Sequence, residues 1–288
     1  MGTMRLPPRI ITLLIGIALV LVGLWVGQNV NLLPVDASVN APLYDQLFKV
    51  LFSIGTTLFI GIVGMVVYSL TRFRRRSGTV TEGPAVEGNL PLEILWTAIP
   101  AVVVLFVGIY SFDIYDRMGG MVPMHDHSMA GMETMHEPAA SGPGQKTWAG
   151  ISSVVVEGQP PVAAVPIEVT AMQFAFIFRY PEADIISGEL HVPAGQPVSL
   201  RMTANDVIHA FWVPEFRLKQ DIIPGQPTLL SFTATRPGSY PIVCAELCGA
   251  YHGGMRSTVI VEPPEDYANW VAKNSPVKAT AASETLIS

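Results

Sequence analysis

Charged residues are scarce in this sequence. Asp, Glu, Lys and Arg together make up 14% of its 288 residues, whereas globular proteins average about 25%. So low a charge excludes an ordinary soluble protein over the whole length and indicates membrane-spanning segments. Basic residues are outnumbered, 17 against 23 acidic ones, which gives a formal net charge of -6. This excess of acid argues against nucleic acid as a partner.

Three apolar stretches account for the shortage of charge, and they cover residues 10–26, 47–70 and 94–112. The second and third match the roughly 20 residues needed to cross the hydrocarbon core of a membrane. They predict a transmembrane helical hairpin over residues 45–116. The first stretch leaves two alternatives open for residues 1–37. It is either a signal peptide, with Ala37 as the small residue before the cleavage site, or an additional N-terminal span.

The basic residues predict the orientation of the hairpin. Four arginines follow the second stretch directly, namely Arg72, Arg74, Arg75 and Arg76. Because basic residues near the ends of spans stay on the cytoplasmic side, the loop over residues 72–89 should lie there. The third stretch then carries everything after Asp113 to the opposite side of the membrane.

A linker over residues 117–160 follows the hairpin and is rich in Met, Gly, Pro and Ser. It contains three of the six histidines, His125, His127 and His136. Imidazole and thioether groups could bind copper weakly in such a segment. A linker without any role in metal binding is the alternative.

The sequence becomes globular in character after the linker. Eight short runs of β-forming residues, separated by Pro and Gly, lie between residues 165 and 261. Many short strands at close spacing predict an all-β sandwich or barrel, which we place at residues 161–265. Residues 266–288 are rich in Ala, Ser and Thr and predict a flexible tail.

The only two cysteines lie in one short segment of this globular domain. Cys244 and Cys248 are followed by His252 and Met255, and His209 lies upstream. Thiolate, imidazole and thioether groups are the ligand set of copper electron-transfer sites. A disulfide between the cysteines is the alternative in an exported domain, but the nearby histidines and methionine favour a metal. A second thiol four residues after the first would let both sulfurs bridge two metal ions.

In these residues the chain resembles subunit II of the haem-copper cytochrome c oxidases, in its bacterial, cyanobacterial-like form. The resemblance implies a cupredoxin-like Greek-key barrel that holds a dinuclear copper A centre. Cys244 and Cys248 would bridge the two copper ions, and His209 and His252 would each bind one. The full ligand set that the resemblance implies is His209, Cys244, Glu246, Cys248, His252 and Met255. Met255 would be a weak ligand, and Glu246 would contribute its backbone carbonyl.

Two carboxylates take further roles by the same resemblance. The side chain of Glu246 could hold a magnesium or manganese ion at the boundary with subunit I, since carboxylates suit such hard cations. Glu93, near the start of the third apolar stretch, matches a glutamate at the mouth of a proton route into subunit I. A carboxylate stabilised simply by the start of a helix is the alternative for Glu93.

The resemblance also points to a face where an electron donor docks. Phe174 stands where many relatives have the tryptophan that is thought to accept the incoming electron. Asp206 matches an acidic position of the docking face, whereas Arg179 stands where relatives have an acid. We therefore expect all three residues to influence the choice of donor.

The resemblance implies the electron-accepting subunit of a terminal oxidase. The domain would take electrons from cytochrome c or a similar soluble carrier and pass them to haem in subunit I. Oxygen would be reduced to water there, coupled to proton pumping, with further subunits as partners. The complex would lie in a coupling membrane, plasma or thylakoid, with the C-terminal domain on the periplasmic or lumenal side. A copper metallochaperone or assembly factor that uses Cys-x3-Cys plus His is the alternative.

Overall fold

The computed structural model describes residues 7–74, 88–118, 148–149 and 164–276. The chain divides into two compact units, a helical one from Met1–Leu33 and Asp45–Ile114, and a second one from Pro34–Tyr44 and Tyr115–Ser288. The predicted weak copper ligands of the linker, His125, His127 and His136, lie outside the described residues, as does most of that linker.

The helical unit contains the three predicted apolar stretches. They form α1 (Pro8–Asn29), α2 (Ala41–Arg72) and α3 (Leu90–Arg117), the last of which ends in the second unit. All three helices are long and apolar enough to cross a membrane. Most of their large apolar side chains point outward, as expected where the solvent is lipid and only the backbone must be satisfied internally. The predicted hairpin is confirmed, and the first stretch forms a third helix.

Helix α1 approaches the backbone of α2 through two glycines. A Cβ added at Gly23 would lie 2.9 Å from the carbonyl oxygen of Ser53, and one at Gly27 would lie 2.9 Å from that of Lys49. The facing hydroxyl of Ser53 donates to Lys49 within α2, and that of Thr57 donates to Ser53. Small residues four apart are the pattern that allows close contact between helices in membranes.

The second unit is an all-β domain of two facing sheets. The first sheet has the order β1-β9-β6-β2-β3-β4 and the second the order β5-β11-β10-β7-β8. The strands are β1 (Trp148–Ala149), β2 (Val165–Met172), β3 (Ala175–Tyr180), β4 (Ile185–Ser187), β5 (Leu190–Pro193), β6 (Pro197–Ala204), β7 (His209–Val213), β8 (Leu218–Ile222), β9 (Thr228–Thr233), β10 (Gly238–Cys244) and β11 (Arg256–Glu262). Buried and outward positions alternate along β2, β6 and β9, and the buried side chains of both sheets form one core. The predicted all-β fold is confirmed.

Strand β8 is absent from the sequence prediction. Its middle residues Lys219, Gln220 and Asp221 have low strand propensity, and only its end residues Leu218 and Ile222 are buried. The strand forms at the edge of its sheet because it pairs along its length with β7.

The segment before α2 belongs to the β-domain. Ala37 is fully buried, its N–H donates to the carbonyl of Glu215 at 3.0 Å, and its own carbonyl accepts from Thr235 at 2.9 Å. The N–H of Val39 donates to Thr233 at 3.1 Å. Residues 37–39 therefore extend the domain at the place where the signal-peptide alternative puts a cleavage site.

A fourth helix corrects the predicted flexible tail. Helix α4 (Pro264–Asn274) follows β11 directly, so the prediction is wrong for residues 266–274. Trp270 of α4 stacks on the ring of His191 in β5, with centroids 4.0 Å apart and planes 12° apart. The hydroxyl of Ser275 donates to the carbonyl of Ala183. These contacts hold α4 against the domain, and composition alone does not reveal them.

Candidate metal centre

Strand ends bring the predicted ligands together. His209 is the first residue of β7 and Cys244 is the last of β10, and the two strands pair side by side through Cys244 and Phe211. Residues 244–255, the ligand loop, then lead back to β11, and the Cys244 N–H closes this loop by donating to the Met255 carbonyl at 3.1 Å. Because paired strands fix both ends of the loop, the ligand positions depend on the sheet rather than on the loop alone.

The two thiols lie at the middle of the ligand set. Their sulfurs are 3.9 Å apart, and both cysteines are free. His209 Nδ1 lies 3.8 Å from the sulfur of Cys244, whereas His252 Nδ1 lies 3.5 Å from that of Cys248. Each thiol therefore has its own imidazole, and both imidazoles present Nδ1.

Two weaker donors complete the set. The thioether sulfur of Met255 lies 3.8 Å from the sulfur of Cys248, and the backbone carbonyl oxygen of Glu246 lies 3.4 Å from the sulfur of Cys244. The ligand atoms of His209, Cys244 and Cys248 all fall within 4.8 Å of one another, which is close enough to hold a metal ion. The structure thus brings all six predicted ligand residues together.

Burial changes the chemistry of the thiols. The pKa of Cys248 is raised to about 11, mainly by burial and to a smaller extent by the neighbouring thiol of Cys244. A thiol with so high a pKa keeps its proton at neutral pH, whereas a metal ligand must lose it. Binding of a soft cation would therefore displace protons from this site. The buried sulfur and nitrogen donors fit copper well.

A carboxylate holds His209 from behind. Asp206 Oδ1 accepts a hydrogen bond from His209 Nε2 at 2.8 Å, while Oδ2 accepts from the backbone N–H of Gln173 at 2.6 Å. The N–H of Val207 donates to Oδ1 at 2.7 Å. Burial alone would raise the pKa of Asp206, but the hydrogen bonds from His209 and from the two backbone N–H groups outweigh it and lower the pKa. Asp206 was predicted at a docking face, yet in the structure it contacts a candidate ligand.

The predicted metal-binding side chain of Glu246 forms an ion pair. Lys219 Nζ lies 3.2 Å from Glu246 Oε1 and 3.0 Å from Asp221 Oδ1. The hydrogen bond to Asp221 raises the pKa of Lys219 and outweighs a smaller effect of burial, and Glu246 adds to the rise. The carboxylate of Glu246 thus points from the ligand loop to the surface and pairs with a lysine of β8.

Aromatic and apolar residues cover the outer side of the ligand loop. Tyr251 precedes His252 and contacts the ring of Phe174 edge-on, with centroids 5.5 Å apart. Leu247 lies between the two cysteines in sequence and is 82% exposed, and Tyr251 is 73% exposed. Soluble proteins rarely expose large apolar side chains in a cluster unless a partner binds there.

Arg179 lies away from this cluster. It is near the far end of β3, five residues beyond Phe174, or roughly 16 Å along an extended strand. Its guanidinium pairs with Glu168 of the neighbouring strand at 3.3 Å. Of the three residues predicted for donor docking, the structure places Phe174 and Asp206 at the ligand loop but not Arg179.

Two family models match the chain. The transmembrane domain of cytochrome c oxidase subunit II matches residues 23–114, and the periplasmic domain of the same subunit matches residues 178–262. Cytochrome c oxidase subunit 2 of Synechocystis is 46% identical over 98% of this chain and 88% of its own length. The subunit of Thermostichus vulcanus is 47% identical over 96% of this chain and 88% of its own length. The chain belongs to the cytochrome c oxidase subunit II family.

A solved structure also matches part of the chain. The periplasmic domain of subunit II of the Bradyrhizobium japonicum cytochrome oxidase is 28% identical, with a TM-score of 0.37. The match covers 40% of this chain and 96% of that domain.

Membership of the cytochrome c oxidase subunit II family confirms the predicted resemblance and the predicted enzyme class. It makes the chain a membrane-bound oxidase subunit, with subunit I and further subunits as its partners and the β-domain on the periplasmic side. The candidate ligand set within this family's domain is consistent with copper binding. The metallochaperone alternative does not explain a likeness that extends over both the helices and the β-domain.

Glu93, the candidate of the membrane unit, closes the start of α3. Its side-chain Oε1 accepts from the backbone N–H of Asn89 at 3.0 Å, and the side chain of Asn89 accepts from the N–H of Leu92 at 3.2 Å. Such reciprocal bonds satisfy the free N–H groups at a helix start. Glu93 therefore has a structural role, and its role in proton input stays a prediction.

Sequence reasoning missed two residues of this centre. Gln173 donates from its side chain to the Cys248 carbonyl, and Tyr251 covers Phe174. The aromatic residue directly before His252 was the available signal for Tyr251, and it is not specific unless the loop conformation is known. No sequence signal pointed to Gln173.

Proposed function

We propose that this chain is the electron-accepting subunit of a cytochrome c oxidase and that it holds two copper ions in a dinuclear copper A centre. The observation that carries the proposal is the division of the ligands into two sets around one thiol pair. His209 lies beside Cys244, and His252 with Met255 lies beside Cys248. A single-metal site would need only one of these sets.

The chain's own residues prepare this centre. Paired strands β7 and β10 fix His209 and Cys244, and the hydrogen-bonded loop fixes Cys248 and His252. Burial of the sulfurs excludes water from the ligands. When bound, the copper pair would supply one-electron transfer, and fixed ligands reduce the rearrangement that a change of oxidation state requires. A rigid, largely dry ligand set suits rapid electron transfer better than it suits copper delivery.

The donor is proposed to dock over the exposed cluster of Leu247, Tyr251 and Phe174. Leu247 and Tyr251 belong to the ligand loop and Phe174 contacts Tyr251, so a soluble carrier bound there would bring its redox group close to His252. Acidic side chains lie near the same loop, including Asp206 and Asp221. They favour a carrier with basic residues around an apolar patch, such as cytochrome c, because opposite charges accelerate the encounter.

Glu246 is proposed to bind magnesium or manganese together with ligands of subunit I. A carboxylate oxygen suits these cations, and the group is exposed beside the ligand loop. In the single chain Lys219 neutralises it. Binding of the cation would therefore require Lys219 to release Glu246 and keep Asp221. Replacement of Glu246 by Gln should remove tightly bound manganese from the purified complex without removing copper.

The copper proposal is tested by metal analysis of the purified complex. Two copper ions per subunit, beyond the copper of subunit I, and a multi-line EPR signal from an electron shared by both ions are expected. Cys248→Ser should abolish that signal, because one thiolate cannot bridge a delocalised pair. A single copper per subunit with the EPR signal of an isolated ion would contradict the dinuclear centre. Copper that passes readily to an acceptor protein would instead favour the metallochaperone function.

A further inference from the structure

We infer that Asp206 is a positioning residue for the copper centre, and that with Gln173 it fastens the two ligand-bearing segments to each other. The inference rests on the copper centre proposed above and deepens it. Asp206 contacts His209 on one side and the backbone of Gln173 on the other. The side chain of Gln173 in turn reaches the ligand loop.

Asp206 determines which ring nitrogen of His209 is free. The ring donates from Nε2 to Asp206 at 2.8 Å, so the neutral ring carries its proton there. Nδ1 is then an acceptor and faces the sulfur of Cys244 at 3.8 Å. A carboxylate behind a histidine both fixes the ring and makes the metal-binding nitrogen more basic. His209 is fully buried in the folded domain, and Asp206 is the partner that its Nε2 has there.

The carboxylate is itself held in place. Its two oxygens accept from the N–H of Gln173 at 2.6 Å and from the N–H of Val207 at 2.7 Å. Three hydrogen bonds on one short side chain leave it little rotational freedom. Within the described residues, no lysine or arginine bonds to Asp206. Its negative charge is therefore directed at the ring of His209.

Gln173 extends the arrangement to the second thiol. Its side-chain Nε2 donates to the carbonyl of Cys248 at 2.5 Å. Gly249, the next residue of the loop, has a φ of +141° and lies so close that an added Cβ would be 2.8 Å from Gln173 Nε2 and 3.2 Å from the Phe174 ring. The loop can approach Gln173 only because residue 249 has no side chain. Gln173 thus bonds through its backbone to Asp206, which holds His209, and through its side chain to Cys248.

A role in donor docking alone is the competing explanation for Asp206. A docking carboxylate would act through its charge, so removal would change the association rate and its dependence on salt. A positioning carboxylate acts on the ring of His209, so its removal changes the copper centre when no donor is present. Measurements on the resting complex therefore separate the two roles.

The test uses the purified oxidase complex with Asp206→Asn and Asp206→Glu. Copper affinity is measured by competition with a chelator, and the midpoint potential and the imidazole couplings of the copper EPR signal are measured without donor. Asp206→Asn should lose about 10–100-fold in copper affinity, raise the potential and alter the couplings of one imidazole. Asp206→Glu keeps the carboxylate and should recover part of each effect. Glu189→Gln, an equal change of charge at an exposed position, should change none of them.

Three outcomes decide the matter. Unchanged affinity, potential and couplings in Asp206→Asn, with only slower donor association, would reduce Asp206 to a docking residue. If Asp206→Asn does not assemble, the same three readouts are taken on Asp206→Ser, which also lacks the carboxylate. Values equal to the wild type overturn the inference, and a lower copper affinity with a higher potential supports it. A wild-type complex without the shared-electron signal would overturn the copper centre itself, and the inference with it.

Discussion

The ring of Tyr251 lies edge-on against Phe174, with centroids 5.5 Å apart and planes at 78°. Tyr251 is the residue before the candidate ligand His252, and Phe174 follows Gln173, which bonds to the Cys248 carbonyl. The pair therefore links the surface of the protein to two candidate ligands, to His252 through Tyr251 and to Cys248 through the residue before Phe174. Phe174 is only partly exposed, whereas Tyr251 is 73% exposed, so Tyr251 offers the first contact to a partner.

Replacement of Tyr251 by Ala should weaken donor binding about tenfold, which corresponds to about 1.4 kcal/mol. The reason is the loss of a large exposed aromatic surface, the kind of contact that dominates binding between proteins. Stopped-flow reduction of the complex by cytochrome c, at several donor concentrations, measures the effect. Ile186→Ala is the matched control, since Ile186 is 70% exposed on β4 at the other end of β3. Equal losses in both variants would show that the copper loop is not the docking surface.

Replacement of Glu93 by Gln separates proton input from helix capping. Gln can still accept the hydrogen bond from the N–H of Asn89, because glutamine serves as well as glutamate in such caps. The free energy of helix formation should therefore change by less than about 1 kcal/mol. A neutral amide cannot load or release a proton, so turnover of the assembled oxidase should fall while reduction of the copper centre continues. Full turnover in the variant would leave Glu93 with its capping role alone.

Strands and ligands were predictable to different degrees. The ligand loop could be found in the sequence because four ligand side chains fall within twelve residues, and the strands because buried and exposed residues alternate. Helix α4 could not, because it is short and polar and forms against His191 through Trp270. The roles of Asp206 and Arg179 depend on loop conformation and strand length. Both matched docking positions in sequence, but only Asp206 lies at the ligand loop.

The hydroxyl of Tyr180 makes the β-domain sensitive to alkaline pH. It accepts from the N–H of His191 at 2.6 Å and donates to the carbonyl of the same residue at 3.0 Å. Burial raises the pKa of Tyr180 above its ordinary value of about 10, and the hydrogen bond to His191 only partly offsets this. The unfolded chain therefore releases this proton above about pH 10 while the folded chain keeps it. The contribution to stability is complete below pH 10 and declines as the pH rises further.

Tyr180→Phe should thus have opposite effects in two pH ranges. At pH 7 it should cost about 1–3 kcal/mol, because the buried N–H of His191 loses its acceptor. Above pH 10 its free energy of unfolding should fall less steeply with pH than that of the wild type. Denaturant unfolding of the full chain in detergent at pH 7, 10 and 11 measures both. Burial also raises the pKa of Tyr267, to about 12, but Tyr267 is present in both proteins and contributes equally to their alkaline loss of stability. If the free energy of unfolding falls with pH at the same rate in both proteins, Tyr180 does not cause that loss.

Helix α1 should remain in the mature protein as a third span. Cleavage after Ala37 would cut a buried segment whose N–H and carbonyl groups bond within the β-domain. It would also remove the glycine face that lies against Ser53 and Lys49 of α2. The intact mass of the subunit from the purified complex should therefore include residues 8–29, and a mass that lacks residues 1–37 would establish the signal peptide instead.

Gly27→Leu should lower the yield of assembled complex, because its side chain would meet the backbone of α2. Gly16→Leu is the control, since a Cβ at Gly16 meets nothing within 4 Å, and an equal loss of yield in both variants would mean that the glycine contact does not hold α1 in place.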